Sequence, residues 1–127
     1  MTIQPKILVV EDSPTTRRQI TDILQGAGYE VVAVEDGESA IEVVHQDDFG
    51  LVVLDIVLPK KNGYQVCRNI KSDPELAIKV LMLTAKDQEK DRFWGHRQGA
   101  DSYLSKPVDE KELLVAVAEM VSVSSPN

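Results

Sequence analysis

Cysteine, histidine and positive charge are scarce in this sequence, and each shortage excludes something. With one cysteine, Cys67, in 127 residues, no disulfide can form within the chain, so a disulfide-stapled fold is ruled out and a reducing compartment suits it. Cys67 reads as a small apolar filler on a helix rather than a reactive thiol. The two histidines, His45 and His96, fall on predicted helices away from strand ends, where they read as surface residues, and nothing resembles a zinc-holding His/Cys set. Fourteen Lys+Arg against twenty-one Asp+Glu give a formal net charge of -7, which disfavours non-specific attraction to nucleic acid or anionic lipid. Apolar runs such as Ile7 to Val10 and Leu51 to Leu54 are far too short to cross a bilayer, and the first residues lack the apolar core of a signal peptide. A cytoplasmic protein with no membrane insertion and no direct nucleic-acid contact is expected.

Linkers, low-complexity tracts and a second composition block are missing too, so one domain over 1–127 is expected, with a core of about 6–122 and a short polar tail over 123–127. What is there is an alternation. Lys6 to Asp12 (KILVVED) is a β-branched run ending in acids, and Ser13-Pro14 reads as a helix cap followed by proline at the first helical position. In the helix that follows, Ile20, Ile23, Leu24 and Ala27 recur on one face, and Gly26 and Gly28 close it. Strands over Glu30 to Glu35, Leu51 to Asp55, Lys79 to Thr84 and Ser102 to Ser105 alternate with helices over Gly37 to Gln46, Gly63 to Ser72, about Gln88 to Gln98, and Asp109 to about Ser122. Asp109 with Glu112 forms an Asp version of the capping box, and Leu113, Val117, Met120 and Val121 make the last helix's buried stripe. Short connections between such units predict an α/β fold: a doubly wound, five-stranded parallel sheet covered by five helices.

In open parallel sheets, ligands bind beyond the carboxyl ends of the strands, where strand order reverses. The first strand ends in Glu11-Asp12, the third in Asp55, the fourth in Thr84-Ala85 and the fifth in Lys106-Pro107. With the order 2-1-3-4-5, the first and third strands are neighbours and their carboxylates meet. Three carboxylates together repel unless a cation sits among them. An all-oxygen donor set points to Mg²⁺, with Mn²⁺ as a substitute. Such a cation completes its shell with phosphate oxygens, which makes Asp55 a nucleophile toward phosphorus, Lys106 a second positive group and Thr84 a hydroxyl donor to the arriving phosphoryl group. Singly, each residue is an ordinary capping or solvated side chain. Together, all four informative strand ends carry complementary phosphate chemistry.

Over Lys6 to about Val121 the chain resembles the receiver domain of response regulators, of the CheY type, through ILVVEDS, LVVLDIVLPKKNG, VLMLTAK and GADSYLSKPVD. The resemblance implies the flavodoxin-like/CheY-like fold, phosphorylation of Asp55, direct metal ligation by Asp12, Asp55 and the Val57 backbone carbonyl, and a water-mediated role for Glu11. It implies further that Thr84 and Ala85 bind the phosphoryl group with Lys106, that Tyr103 is the rotating aromatic of the switch, and that the peptide before Pro107 is cis. DQEKDRFWGHRQGADSYLSKPV resembles receivers acting with type IV pilus motility and related chemosensory systems. Val57 stands where the best-known chemotaxis receivers carry a polar side chain, and Lys86 where an acidic one can occur, so the dephosphorylation rate does not transfer.

The expected function is a stand-alone regulator that takes phosphate from a histidine kinase or phosphotransfer protein. It then switches binding of a protein effector through the surface of the fourth helix, fifth strand and fifth helix. Trp94 is the preferred partner anchor there, and the protein is expected to be a monomer or weak dimer. No helix-turn-helix follows in this sequence, so direct control of transcription is not expected. The enzyme alternative, a phosphohydrolase with an aspartyl-phosphate intermediate, commonly needs a second Asp two residues after the nucleophile, where Val57 stands. A flavin- or nucleotide-binding domain would want a Gly-rich loop after the first strand, where EDSPTT runs instead.

Overall fold

The computed structural model describes residues 5–58, 62–84 and 99–124. In chain order the described elements are β1 (Lys6–Val10), α1 (Pro14–Gly26), β2 (Val31–Val34), α2 (Gly37–Val43), β3 (Phe49–Asp55), α3 (Gly63–Ser72), β4 (Lys79–Thr84), β5 (Ser102–Ser105) and α4 (Glu110–Ser124). The helix predicted over 88–98 lies outside the described residues, as do Ala85, Lys86 and Trp94, so four of the five expected helices are seen.

The strands pair in parallel in the order β2-β1-β3-β4-β5, as expected. Successive strand residues point to opposite faces, and both faces are covered. Leu8, Val10, Val52, Leu54, Val80 and Met82 pack with Ala40 of α2 and Val66, Cys67 and Ile70 of α3. Ile7, Val9, Leu51, Val53, Leu81 and Leu83 pack with Ile20 and Leu24 of α1 and with Leu113, Val117 and Met120 of α4. Burial on both sides is why these strands read as continuous apolar runs rather than alternating ones.

The Ser13 cap forms as read, and the Asp109 half of the capping box is seen. Ser13 Oγ accepts from the Thr16 amide at 3.3 Å ahead of Pro14, and Asp109 Oδ2 accepts from the Glu112 amide at 3.0 Å. Gly28, at φ 97°, turns the chain out of α1 through a conformation open to glycine. Ala27 departs from expectation: it is the C-cap of α1 and is exposed rather than on the buried face. The second helix also stops at Val43 instead of Gln46. There the His45 and Gln46 amides bond to carbonyls three residues back, Glu42 and Val43, a tightened turn that ends an α-helix. β3 begins two residues earlier than read, at Phe49, whereas β2 is shorter by one at each end.

Candidate functional site

The parallel order brings the carboxyl ends of β1, β3, β4 and β5 to one edge, and short bonds beyond the ladders hold those ends together. The Ile56 amide donates to the Leu83 carbonyl at 3.2 Å, the Lys106 amide to the Thr84 carbonyl at 2.7 Å, and the Glu11 amide to the Val34 carbonyl at 3.1 Å. The main chain that carries the site's side chains is thereby held in place.

Glu11, Asp12 and Asp55 each place a carboxylate oxygen within 4.8 Å of the others. Glu11 and Asp55 are buried, at 1% and 4% exposure, whereas Asp12 faces solvent. A hard divalent cation fits this set: only oxygens converge, one side is open for water and ligand, and mutual repulsion is relieved by positive charge.

Lys106 reaches into the cluster. Its Nζ lies 2.8 Å from Asp55 Oδ2 and 3.0 Å from Glu11 Oε1, with its own side chain 31% exposed. The other Asp55 oxygen, Oδ1, accepts from the Val57 amide at 3.2 Å, and Glu11 Oε2 accepts from the Ser13 amide at 3.2 Å. Burial pushes the Glu11 carboxyl above its ordinary range, which the Lys106 bond opposes and neighbouring Asp55 reinforces. Burial works against the Lys106 ammonium, but hydrogen bonds to Asp55 and Glu11 outweigh it and raise the group above its usual value. Lys106 is thus a built-in cation that offsets part of the repulsion among the three carboxylates.

Thr84 is buried at the end of β4, one residue past Leu83, the register partner of Asp55, and its hydroxyl donates to the Leu104 carbonyl at 3.5 Å. Tyr103 sits on β5 opposite Met82, half-buried against the α2/α3 side of the core. The Lys106–Pro107 peptide is cis. Val57 turns its side chain outward, 76% exposed, beside the carboxylates. Glu11, Asp12, Asp55 and Lys106 therefore meet, Thr84 lies at the end of adjoining β4, Tyr103 lies within β5, and Ala85 and Trp94 fall outside the described residues.

Two residues here carry no role in the sequence reading. Gly63 opens α3 so close to the strand end that a Cβ on it would lie 2.5 Å from the Asp55 carbonyl oxygen and 2.7 Å from Ile56 Cα. Its place at the end of the DIVLPKKNG run, directly before a helical pattern, is the signal that could have marked it. Arg17, which lies off the apolar face of α1, donates from Nη1 to the Glu11 carbonyl at 3.0 Å and to the Asp12 carbonyl at 3.4 Å.

Comparison with known proteins agrees with this geometry. The family model described as the response regulator receiver domain matches residues 7–118. Protein PilH of Pseudomonas aeruginosa is 43% identical over 113 residues, covering 88% of this chain and 93% of that protein. Several DNA-binding or transcriptional regulators also match, and the chain spans only 42% to 52% of their length. Among solved structures, a chain described as a response regulator from Chloroflexus aurantiacus superposes with a TM-score of 0.91 at 30% identity, covering 94% of this chain and 99% of that one. The chemotaxis response regulator CheY4 of Vibrio cholerae gives 0.87 at 27% identity, covering 93% and 99%. With strand order, strand-end chemistry and family match in agreement, the chain belongs to the response regulator receiver domain family.

Proposed function

We propose that Asp55 accepts a phosphoryl group from a histidine kinase or phosphotransfer protein, and that the resulting acyl phosphate switches protein–protein binding. The observation that carries this reading is the convergence of Glu11, Asp12 and Asp55 with Lys106 bonded to two of them. Asp12, Asp55 and the Val57 carbonyl would hold Mg²⁺ directly and Glu11 through water. Magnesium, when bound, offsets charge on the phosphoryl oxygens during transfer. An Asp55 oxygen attacks phosphorus, the bond from phosphorus to the donor imidazole nitrogen breaks, and its electron pair leaves with the imidazole. Lys106, 2.8 Å from Asp55, then pairs with the phosphoryl oxygens in place of the carboxylate it held.

The Thr84 hydroxyl bond, 3.5 Å long, is weak by geometry and is exchanged for a stronger one to a phosphoryl oxygen. Tyr103 on the adjoining strand repacks in response, and the population shifts toward the packing that phosphate favours. The surface read out is β5, α4 and the helix predicted over 88–98, with Trp94 as its partner anchor.

The chemistry is self-directed and does not extend to turnover of external substrates. Supporting this is Val57, an apolar, outward-facing side chain where an aspartyl-phosphate hydrolase places its second carboxylate. A role in motility or chemosensory signalling draws on the likeness to PilH and to the chemotaxis regulator CheY4. We place the protein in the cytoplasm, as a monomer or weak dimer; no helix among the described residues is long and apolar enough to cross a membrane.

The coupling is tested by adding beryllofluoride with Mg²⁺ and recording amide NMR shifts. Shifts at Asp55, Thr84, Lys106 and Tyr103 are expected, with those at Tyr103 lost in Thr84→Ala. Unchanged Tyr103 shifts in that variant would break the proposed link.

A further inference from the structure

Glu11 and Asp12 are adjacent in sequence but differ in how they are held. Glu11 is fixed through its amide to Val34, through Oε2 to the Ser13 amide and through Oε1 to Lys106. Asp12 is exposed, two residues past the end of β1, and its carboxylate still comes within 4.8 Å of the other two. A turn this open samples many conformations unless something holds its main chain.

Arg17 is placed to do so. It starts from the first turn of α1, where its amide bonds to the Ser13 carbonyl at 2.8 Å. From there its Nη1 reaches back to the carbonyls of both Glu11 and Asp12, at 3.0 and 3.4 Å. The same nitrogen lies 4.0 Å from Glu35 Oε2, just past β2, and the arginine side chain is only 24% exposed. One guanidinium nitrogen thus faces two carbonyls and a carboxylate, all of them acceptors for a charged donor.

We propose that Arg17 is a positioning residue for the cation site: by holding the Glu11 and Asp12 carbonyls it keeps the β1–α1 turn in the shape that aims Asp12 at Asp55. This rests on reading the acidic cluster as a divalent-cation site serving phosphoryl transfer. Arg17 acts on that site in two opposed ways. Its positive charge beside the turn that carries Glu11 and Asp12 weakens the attraction for a divalent ion. Its bonds pre-organise the turn, so that less freedom is lost when the ion binds. The sign of the effect on affinity therefore separates the two, and neither is reported by a general loss of stability.

The test is calorimetric titration of Mg²⁺ into the full chain without a phosphodonor, for wild type, Arg17→Met, Arg17→Lys and Asp12→Asn. Loss of an outer partner of a metal ligand typically weakens affinity at least about tenfold, and that is the change expected for Arg17→Met. Arg17→Lys also binds more weakly than wild type, because its side chain is shorter and its ammonium falls short of the carbonyls that Nη1 reaches. Wild-type or tighter affinity in Arg17→Met, beside a weakened Asp12→Asn, overturns the positioning role alone. If Arg17→Met does not fold, Arg17→Lys decides by the same criterion. A wild-type chain that binds no Mg²⁺, or an Asp12→Asn variant that binds as wild type does, overturns the cation-site reading itself.

Discussion

Replacing Gly63 by alanine asks whether the contact between α3 and the end of β3 sets the site. The added Cβ would lie 2.5 Å from the Asp55 carbonyl oxygen, 2.7 Å from Ile56 Cα and 3.1 Å from the Asp55 carbonyl carbon. All three are main-chain atoms, so relief requires α3 or the strand end to move as a unit. Overpacking of this kind costs about 1–3 kcal/mol. Straining the bond from the Gly63 amide to the Ile56 carbonyl, 2.8 Å in this structure, removes about 1 kcal/mol more. The better helix propensity of alanine returns up to about 1 kcal/mol, leaving a net loss of about 2 kcal/mol. For 127 residues, an unfolding entropy of about 2.1 cal/mol/K per residue gives about 0.27 kcal/mol/K, so Tm should fall by about 7 °C. Scanning calorimetry without metal measures this. The same displacement moves Asp55 away from Glu11 and Lys106, so phosphoryl acceptance should require more Mg²⁺. A Tm within about 1 °C of wild type, with an unchanged Mg²⁺ requirement, would refute the reasoning.

Other consequences follow from the charges and the core. The Glu11 carboxyl is raised above its ordinary 4.5 in the folded chain, so the folded state holds that proton more tightly than the unfolded one, and stability falls as pH rises from 4.5 through the folded value. Glu11→Gln should therefore be more stable than wild type in urea at pH 7 without Mg²⁺, with the advantage vanishing below pH 4.5; a less stable variant at pH 7 contradicts this. Lys106 is raised above 10.5, so its contribution is complete below that pH and is lost as pH climbs through the folded value. Lys106→Met should accordingly unfold at lower urea than wild type at pH 7, and the gap should narrow under strongly alkaline conditions. Burial pushes the Cys67 thiol up to about 12, so a thiol reagent at pH 8 should modify it only as fast as the chain opens. Rapid stoichiometric labelling of the native protein would place Cys67 outside the core.

Much of the fold was legible because the strands are buried on both faces and end in chemistry. Runs such as ILVV and LVVL have no polar side to hide, and the complementary residues after four of them make sense only if β1 and β3 are neighbours. The caps at Ser13 and Asp109 were readable because they are local. The end of α2 was less so: residues 44–46 keep helical composition, and the tightened turn precedes Asp47, which pairs with Lys6 far away in sequence. Ala27 fits the periodicity of α1 but lies beyond the turn where the helix lets go. Arg17 was hidden for a different reason. It lies off the apolar face of α1, and only the fold shows that its length brings the guanidinium back under the Glu11-Asp12 turn. How closely Gly63 approaches Asp55 is likewise set by how α3 meets the sheet; the sequence marks only its place before the helix.

The most direct test of the account is intact-protein and peptide mass spectrometry after incubation with acetyl phosphate, with and without Mg²⁺. One labile phosphoryl group should appear on Asp55, only when Mg²⁺ is present, and none in Asp55→Asn. Stoichiometric modification at another residue, or sustained turnover of unrelated phosphomonoesters by the wild-type chain, would contradict the central claim.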